Sequence, residues 1–217
     1  LGLFILVSNP KKDQNRVLSG FVFAVFLWLL TNLLTNVSAD PSVALFFARS
    51  TLIGPVLLSY LFYLFVFVFI DLKKLTVRHL VVSGLPALCL LVFTPTKYNI
   101  VSVDAYGANT TVGLIYTLLI PVILGYIAIG LIDLWRYYRR TSDASKRAQV
   151  RYIFLGIVAA VIPGVIINGI LPLFGNYSAN LYGPNVVIFL ATFMAIAIVK
   201  HKLLDIRLIV ARTITYL

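Results

Sequence analysis

Side chains able to do acid, base or nucleophilic chemistry are few along this chain, and they do not converge. The 217 residues include seven Asp, no Glu, two His and one Cys. Catalysis needs such groups gathered in a protected site, yet no Asp, Lys or His lies deep inside any of the long apolar runs. HExxH, GxSxG, CxxC, paired carboxylates and glycine-rich phosphate loops are absent from the sequence. His79 and His201 stand at the ends of apolar runs and read as interfacial residues. What remains is hydrogen-bonding chemistry. Asn32, Arg49 and Asn168 enter the apolar runs or border them, and amide and guanidinium groups in such surroundings suit reversible binding, not bond-making. No catalytic residue, cofactor or metal is expected.

Membrane helices must position these groups. The chain is 61% hydrophobic and 12% charged with a mean hydropathy of +1.00, whereas soluble domains carry about 25% charged residues. Such a composition excludes a soluble globule, a disordered chain and a disulfide scaffold. Eighteen Lys and Arg give a net charge of +11, but they fall in short clusters between apolar runs. That is the pattern of membrane loops and not of a nucleic-acid-binding face, so nucleic acid is not an expected partner. Cys89 is alone and cannot form an intrachain disulfide.

A crossing takes about 20 apolar residues. The intervals Arg16 to Asp40, Arg49 to Asp71 and Asp104 to Asp133 each hold one. The uncharged stretch from Arg151 to Lys200 is twice too long for one helix and must divide at LPLFGNYSANLYGP, which is rich in turn and breaker residues. GLFILVS at the start reads as the end of a first helix, its beginning cut away. Residues 80–96 are short and carry Pro86 and Pro95, so length leaves them doubtful. Loop charge decides the count. With seven crossings, 16 of the 18 basic residues fall on one side, and only Arg49 and Lys97 on the other. Positive-inside distribution then puts the amino end outside and the carboxyl end in the cytoplasm. The expected fold is an all-α polytopic bundle of seven transmembrane helices, the first truncated.

Counting 1.5 Å per residue from the cytoplasmic ends, Asn32 in the second helix and Asn168 in the sixth lie about 22 to 26 Å up, and Arg49 enters the third helix from outside. Together they predict an outer polar pocket. The alternative is that they are hydrated at the interface or tie helices together. Gly54-Pro55 and Pro163-Gly164 read as static kinks. The basic loop from Arg136 to Arg151 reads as an orientation signal, with anionic lipid or a downstream domain as alternative contacts.

Placed on this topology, three stretches resemble the amino-terminal seven-helix sensory region of bacterial histidine kinases. They are LGLFILVSNPKKDQNRV, ALFFARSTLIGPVLLSYLFYLF, and the end section from KRAQVRYIFLG to AIVKHKLLDIRLIVARTITYL, with KHKLLDIR at residues 200–207 the most specific piece. The resemblance implies a membrane input module joined to a cytoplasmic output domain in the same chain, in the bacterial cytoplasmic membrane. It implies further that residues 1–208 form the sensory domain and 209–217 begin the connector.

The function expected is detection of an extracellular or membrane-borne signal, with the bilayer, an unidentified small-molecule, peptide or lipid signal, the output domain and a second copy of the chain as partners. The segment Lys200, His201, Lys202, Leu203, Leu204, Asp205, Ile206 and Arg207 is the expected output rod. A transporter or channel subunit is the rival; it calls for buried ion-pathway charges and repeat symmetry, and neither is seen. A eukaryotic-style receptor calls for an outer disulfide, which Cys89 cannot form within the chain.

Overall fold

A computed structural model describes residues 2–8, 10–70, 75–175 and 178–201. Its elements follow from the interruptions in the apolar sequence. Helix α1 (Gly2–Ser8) precedes α2 (Asp13–Val37). Asp40 then starts α3 (Pro41–Thr51), its Oδ1 accepting from the Ser42 amide at 2.7 Å, with Pro41 in the first turn where its missing N–H costs nothing. After a joint at Leu52 the chain continues as α4 (Ile53–Phe69). The joint has a cause, since Pro55 has no N–H to offer the carbonyl four residues back. The expected single crossing therefore begins earlier than its charge boundary suggested, and Arg49 sits within α3.

Helix α5 (Val77–Phe93) is capped by Thr76, whose Oγ1 accepts from the His79 amide at 3.2 Å. Pro86 lies inside it, and one turn there is bonded by a side chain from α6 (Leu114–Arg140). The Tyr126 hydroxyl accepts from the Ala87 amide at 3.3 Å and donates to the Ser83 carbonyl at 2.6 Å. It thus stands between the two groups that an unbroken ladder would join directly.

Between α5 and α6 the chain forms an antiparallel hairpin, β1 (Ile100–Val103) with β2 (Thr110–Val112), which the sequence reading had not foreseen. Ile100 and Val103 pack on Ala44 and Ala48 of α3, and the Tyr106 amide donates to the Ser38 carbonyl at 2.8 Å. The turn is tight, with Tyr106 at φ 59° and Gly107 at φ 69°. The hairpin caps the end of the bundle at which α2 stops and α3 starts.

Asp143 begins α7 (Ala144–Val165), accepting from the amides of Ser145 and Lys146. Just past Pro163 the helix loosens into one π turn, Ile166–Ile170, and then a short α8 (Leu171–Leu173). A 3-10 segment, Ser178–Val186, leads to α9 (Val187–His201). This is the division expected at LPLFGNYSANLYGP. Lys200 and His201 close α9, whereas Lys202 to Arg207 and the connector 209–217 lie outside the described residues.

Among the described residues, four helical stretches are long and apolar enough to cross a membrane, Asp13–Val37, Pro41–Phe69, Leu114–Arg140 and Ala144–Leu173, and the apolar α5 is shorter. Phe23, Phe26, Leu33, Val82 and Val92 point outward into the space a bilayer fills. Between helices, where lipid gives no hydrophobic drive, close approach matters more. Gly130 faces the Phe62 ring and Gly156 faces Phe193, each so near that a Cβ would be under 3 Å away. One apolar cluster joins Ile5, Leu18, Phe65, Leu134 and Ile153, and a second joins Val56, Leu90, Leu119 and Tyr126.

Candidate functional site

Helix α2 carries a polar stripe near its carboxyl end. Thr31, Asn32, Thr35 and Asn36 follow one another at helical spacing, and most of their hydrogen bonds stay within the helix. Thr35 Oγ1 donates to the Thr31 carbonyl at 2.9 Å, and Asn36 Nδ2 reaches the Asn32 carbonyl at 2.8 Å and Asn32 Oδ1 at 3.3 Å. Opposite stands the π turn after Pro163. There the Asn168 carboxamide donates back to the Gly164 carbonyl at 3.1 Å, and the Tyr116 hydroxyl of α6 donates to the Asn168 carbonyl. A π turn widens the helix and turns one residue away from its regular position, a local feature that recurs at binding sites.

Asn32 and Asn168, far apart in sequence, line one cleft. Its wall also includes Thr35, Asn36, Thr51, Thr110 and Gly107, so the hairpin forms part of the mouth. Trp28, Leu52, Pro55, Tyr116 and Asn168 belong both to this mouth and to a deeper chamber of about 160 Å³. The chamber is walled by Phe21, Phe62, Ile120, Ile157, Val161 and Leu190, among others, and is almost wholly apolar. Two arrangements made by proline and glycine shape it. The Gly54-Pro55 joint brings Pro55 to the wall, and Gly54 lets α4 rest on Trp28, where a Cβ would overlap the indole side chain.

Arg49 takes a different place from the one its sequence position suggested. It does not line the cleft. Its Nε donates to the Ile100 carbonyl at 2.9 Å and Nη2 lies 3.5 Å from the Val101 carbonyl, so the guanidinium fastens the hairpin to α3. The structure thus brings Asn32 and Asn168 together and assigns Arg49 to the strap beside them. Lys200 and His201 lie at the far end of α9, away from the cleft in sequence and in space.

Sequence reasoning missed Trp28, Thr35 and Tyr116 as cleft residues. Trp28 and Tyr116 read as ordinary membrane aromatics, and the threonines read as helix surface. The signal available was the repeat of polar residues at positions 31, 32, 35 and 36 on one helix, which marks a polar face within an apolar run.

A second polar group lies deeper, where α4, α5 and α6 meet. Tyr60 donates to the Leu80 carbonyl at 2.8 Å, and the Tyr63 hydroxyl lies 3.3 Å from His79 Nε2. The rings of Tyr60 and Tyr126 are 5.4 Å apart. His79 is also stacked on Phe67 at 4.1 Å, and its aromatic neighbours make it a helix-tying residue.

The comparisons with known proteins bear on the whole chain. A family described as "N-terminal 7TM region of histidine kinase" matches residues 1–207. No curated protein and no solved structure matches. The match spans every helix and both walls of the cleft, and the chain accordingly belongs to the family of N-terminal 7TM regions of histidine kinases.

Proposed function

We propose that the chain is the sensory input region of a bacterial histidine-kinase-type signalling protein, held in the cytoplasmic membrane by seven crossings with its amino end outside. It takes up an extracellular or membrane-borne signal in the outer cleft. Occupancy is passed to a cytoplasmic output domain of the same chain, joined through the connector that begins at residue 209.

The observation that carries this reading is that Val187 and Leu190 of α9 wall the chamber. The last helix, the one that runs toward the output, touches the space a signal would fill. A ligand shifts a conformational balance only by preferring one state, and a wall built from α9 gives occupancy a means of favouring one position of α9. Orientation rests on charge. The turn between α6 and α7 carries Arg139, Arg140, Lys146 and Arg147, whereas the hairpin end carries Arg49 and Lys97.

The test is an insertion series after Arg207 in the full-length protein, read as autophosphorylation. Since KHKLLDIR continues the sequence of α9 with no glycine or proline to decouple it, one or two added residues should change output by rotating the next domain about 100° or 200°, and seven should nearly restore it at about 3.6 residues per turn. Output indifferent to insertion length would reduce the exit to an anchor.

A further inference from the structure

The lining of the cavity specifies the kind of molecule that fits it. Along both mouth and chamber, among the described residues, there is no Lys, Arg, Asp or His. The nearest cation, Arg49, is occupied by the hairpin carbonyls. An ion would therefore enter without a counter-charge, in a place poor in water, and that is unfavourable.

The polar groups at the mouth divide by role. Thr35 and Thr51 donate their hydroxyl protons to the carbonyls of Thr31 and Phe47, so toward a ligand they present lone pairs only. Ser59, inside the chamber, likewise donates to the Val56 carbonyl at 3.0 Å. In contrast, the Asn32 carboxamide N–H groups have no acceptor among the described residues. The mouth thus offers donors at Asn32 and acceptors at Thr35 and Thr51.

Below the mouth the chamber measures about 160 Å³. An apolar cavity of about 150 Å³ takes a benzene molecule, so the room is for about six carbon atoms. We propose, building on the sensory reading above, that the cavity binds a neutral single-chain amphiphile. Its head carries both an acceptor and a donor, as a carboxamide does, and its tail of about six carbons fills the chamber.

The test uses the full-length protein in phosphatidylcholine nanodiscs and hexanamide bearing a diazirine on its tail, with labelled sites mapped by mass spectrometry. Label is expected on chamber residues such as Ile120, Ile157 and Val161. Free hexanamide should compete at least tenfold better than hexanoate at equal bilayer concentration. Asn32→Leu and Ala160→Leu, the one removing a donor and the other filling the chamber, should each lower labelling at least fivefold. Label confined to lipid-facing Phe23 or Val82, equal competition by hexanoate, or indifference to both substitutions would overturn the proposal. Equal competition by dioleoylglycerol would also overturn it, making the occupant a bilayer lipid. These arms read binding alone. Their failure alongside a periodic response to insertions after Arg207 would remove the ligand class and leave the sensory reading standing.

Discussion

The carboxamide of Asn168 occupies the space that a side chain at position 183 would need. Gly183 is buried, and a Cβ built on it would overlap the Asn168 carboxamide. The 3-10 segment that carries Gly183 can therefore close over the π turn only because the residue there is glycine. Gly183→Ala should cost about 1–3 kcal/mol by overpacking, measured as thermal stability in nanodiscs. Asn168→Ala should relieve part of that cost, so the double variant should be more stable than the sum of the two single losses.

The same wedge changes what Asn168 can be used to test. From sequence alone, Asn168→Leu would look harmless in an apolar helix. With the carboxamide held between Gly164 and Gly183, a branched side chain would disturb the packing itself. Asn32 is the cleaner probe, since among the described residues only Asn36 is bonded to its side chain. Asn32→Leu should leave thermal stability within about 0.5 kcal/mol and should change the signalling response of the full-length protein. An unaltered response would return Asn32 to a purely interfacial role.

Tyr126 is predicted to be a structural pin for α5. Removing its hydroxyl leaves the Ser83 carbonyl and the Ala87 amide without the group that bridges them. Tyr126→Phe should destabilise by about 1–3 kcal/mol if the pair stays open. Hydrogen exchange at the Ala87 amide should speed up in the variant. Unchanged exchange would mean that α5 recloses its own ladder.

Sidedness can be checked with single cysteines in a Cys89→Ser background. Thr111 on the hairpin and Ser145 at the start of α7 are both exposed. Thr111→Cys should react with an impermeant thiol reagent in intact cells, and Ser145→Cys only after the membrane is opened. The opposite result would invert the bundle.

Asp40 should stay ionised through mildly acid conditions. Its carboxylate accepts from the Ser42 hydroxyl at 2.6 Å and the Ser42 amide at 2.7 Å, and these bonds hold it below its usual value of 3.8. Because the folded value is lowered, the cap's contribution is fully present above 3.8 and is lost only as pH falls through the lower folded value. The carboxyl carbon shift in NMR should therefore be flat between about pH 5 and 7, and a midpoint inside that range would contradict the cap.

The parts of this fold that obey one-dimensional rules were legible in the residues. Charge-free intervals located α2, α6 and α7, and the need to keep basic loops on one side argued for α5 where its length did not. Asn32 and Asn168 stood out as amides in apolar runs. Less visible was what depends on distant partners. Arg49 binds backbone carbonyls of Ile100 and Val101, and carbonyls carry no side-chain identity to recognise. The hairpin was hidden because Ile100 to Val112 is short, and its turn depends on Tyr106 adopting a positive φ that its residue type does not announce. The chamber arises from how α2, α4, α6, α7 and α9 meet, which no single segment encodes.

Helix α5 has one further consequence, through its length. Seventeen residues rise about 26 Å, less than the roughly 30 Å of an average hydrocarbon core. A crossing by α5 would thin the neighbouring lipids or stretch its flanking residues, at fractions of a kcal/mol per Å of mismatch. In contrast, α2 and α6 on the same bundle are long enough to tilt. Acyl-chain length would thus act as a mechanical load applied unevenly around the domain.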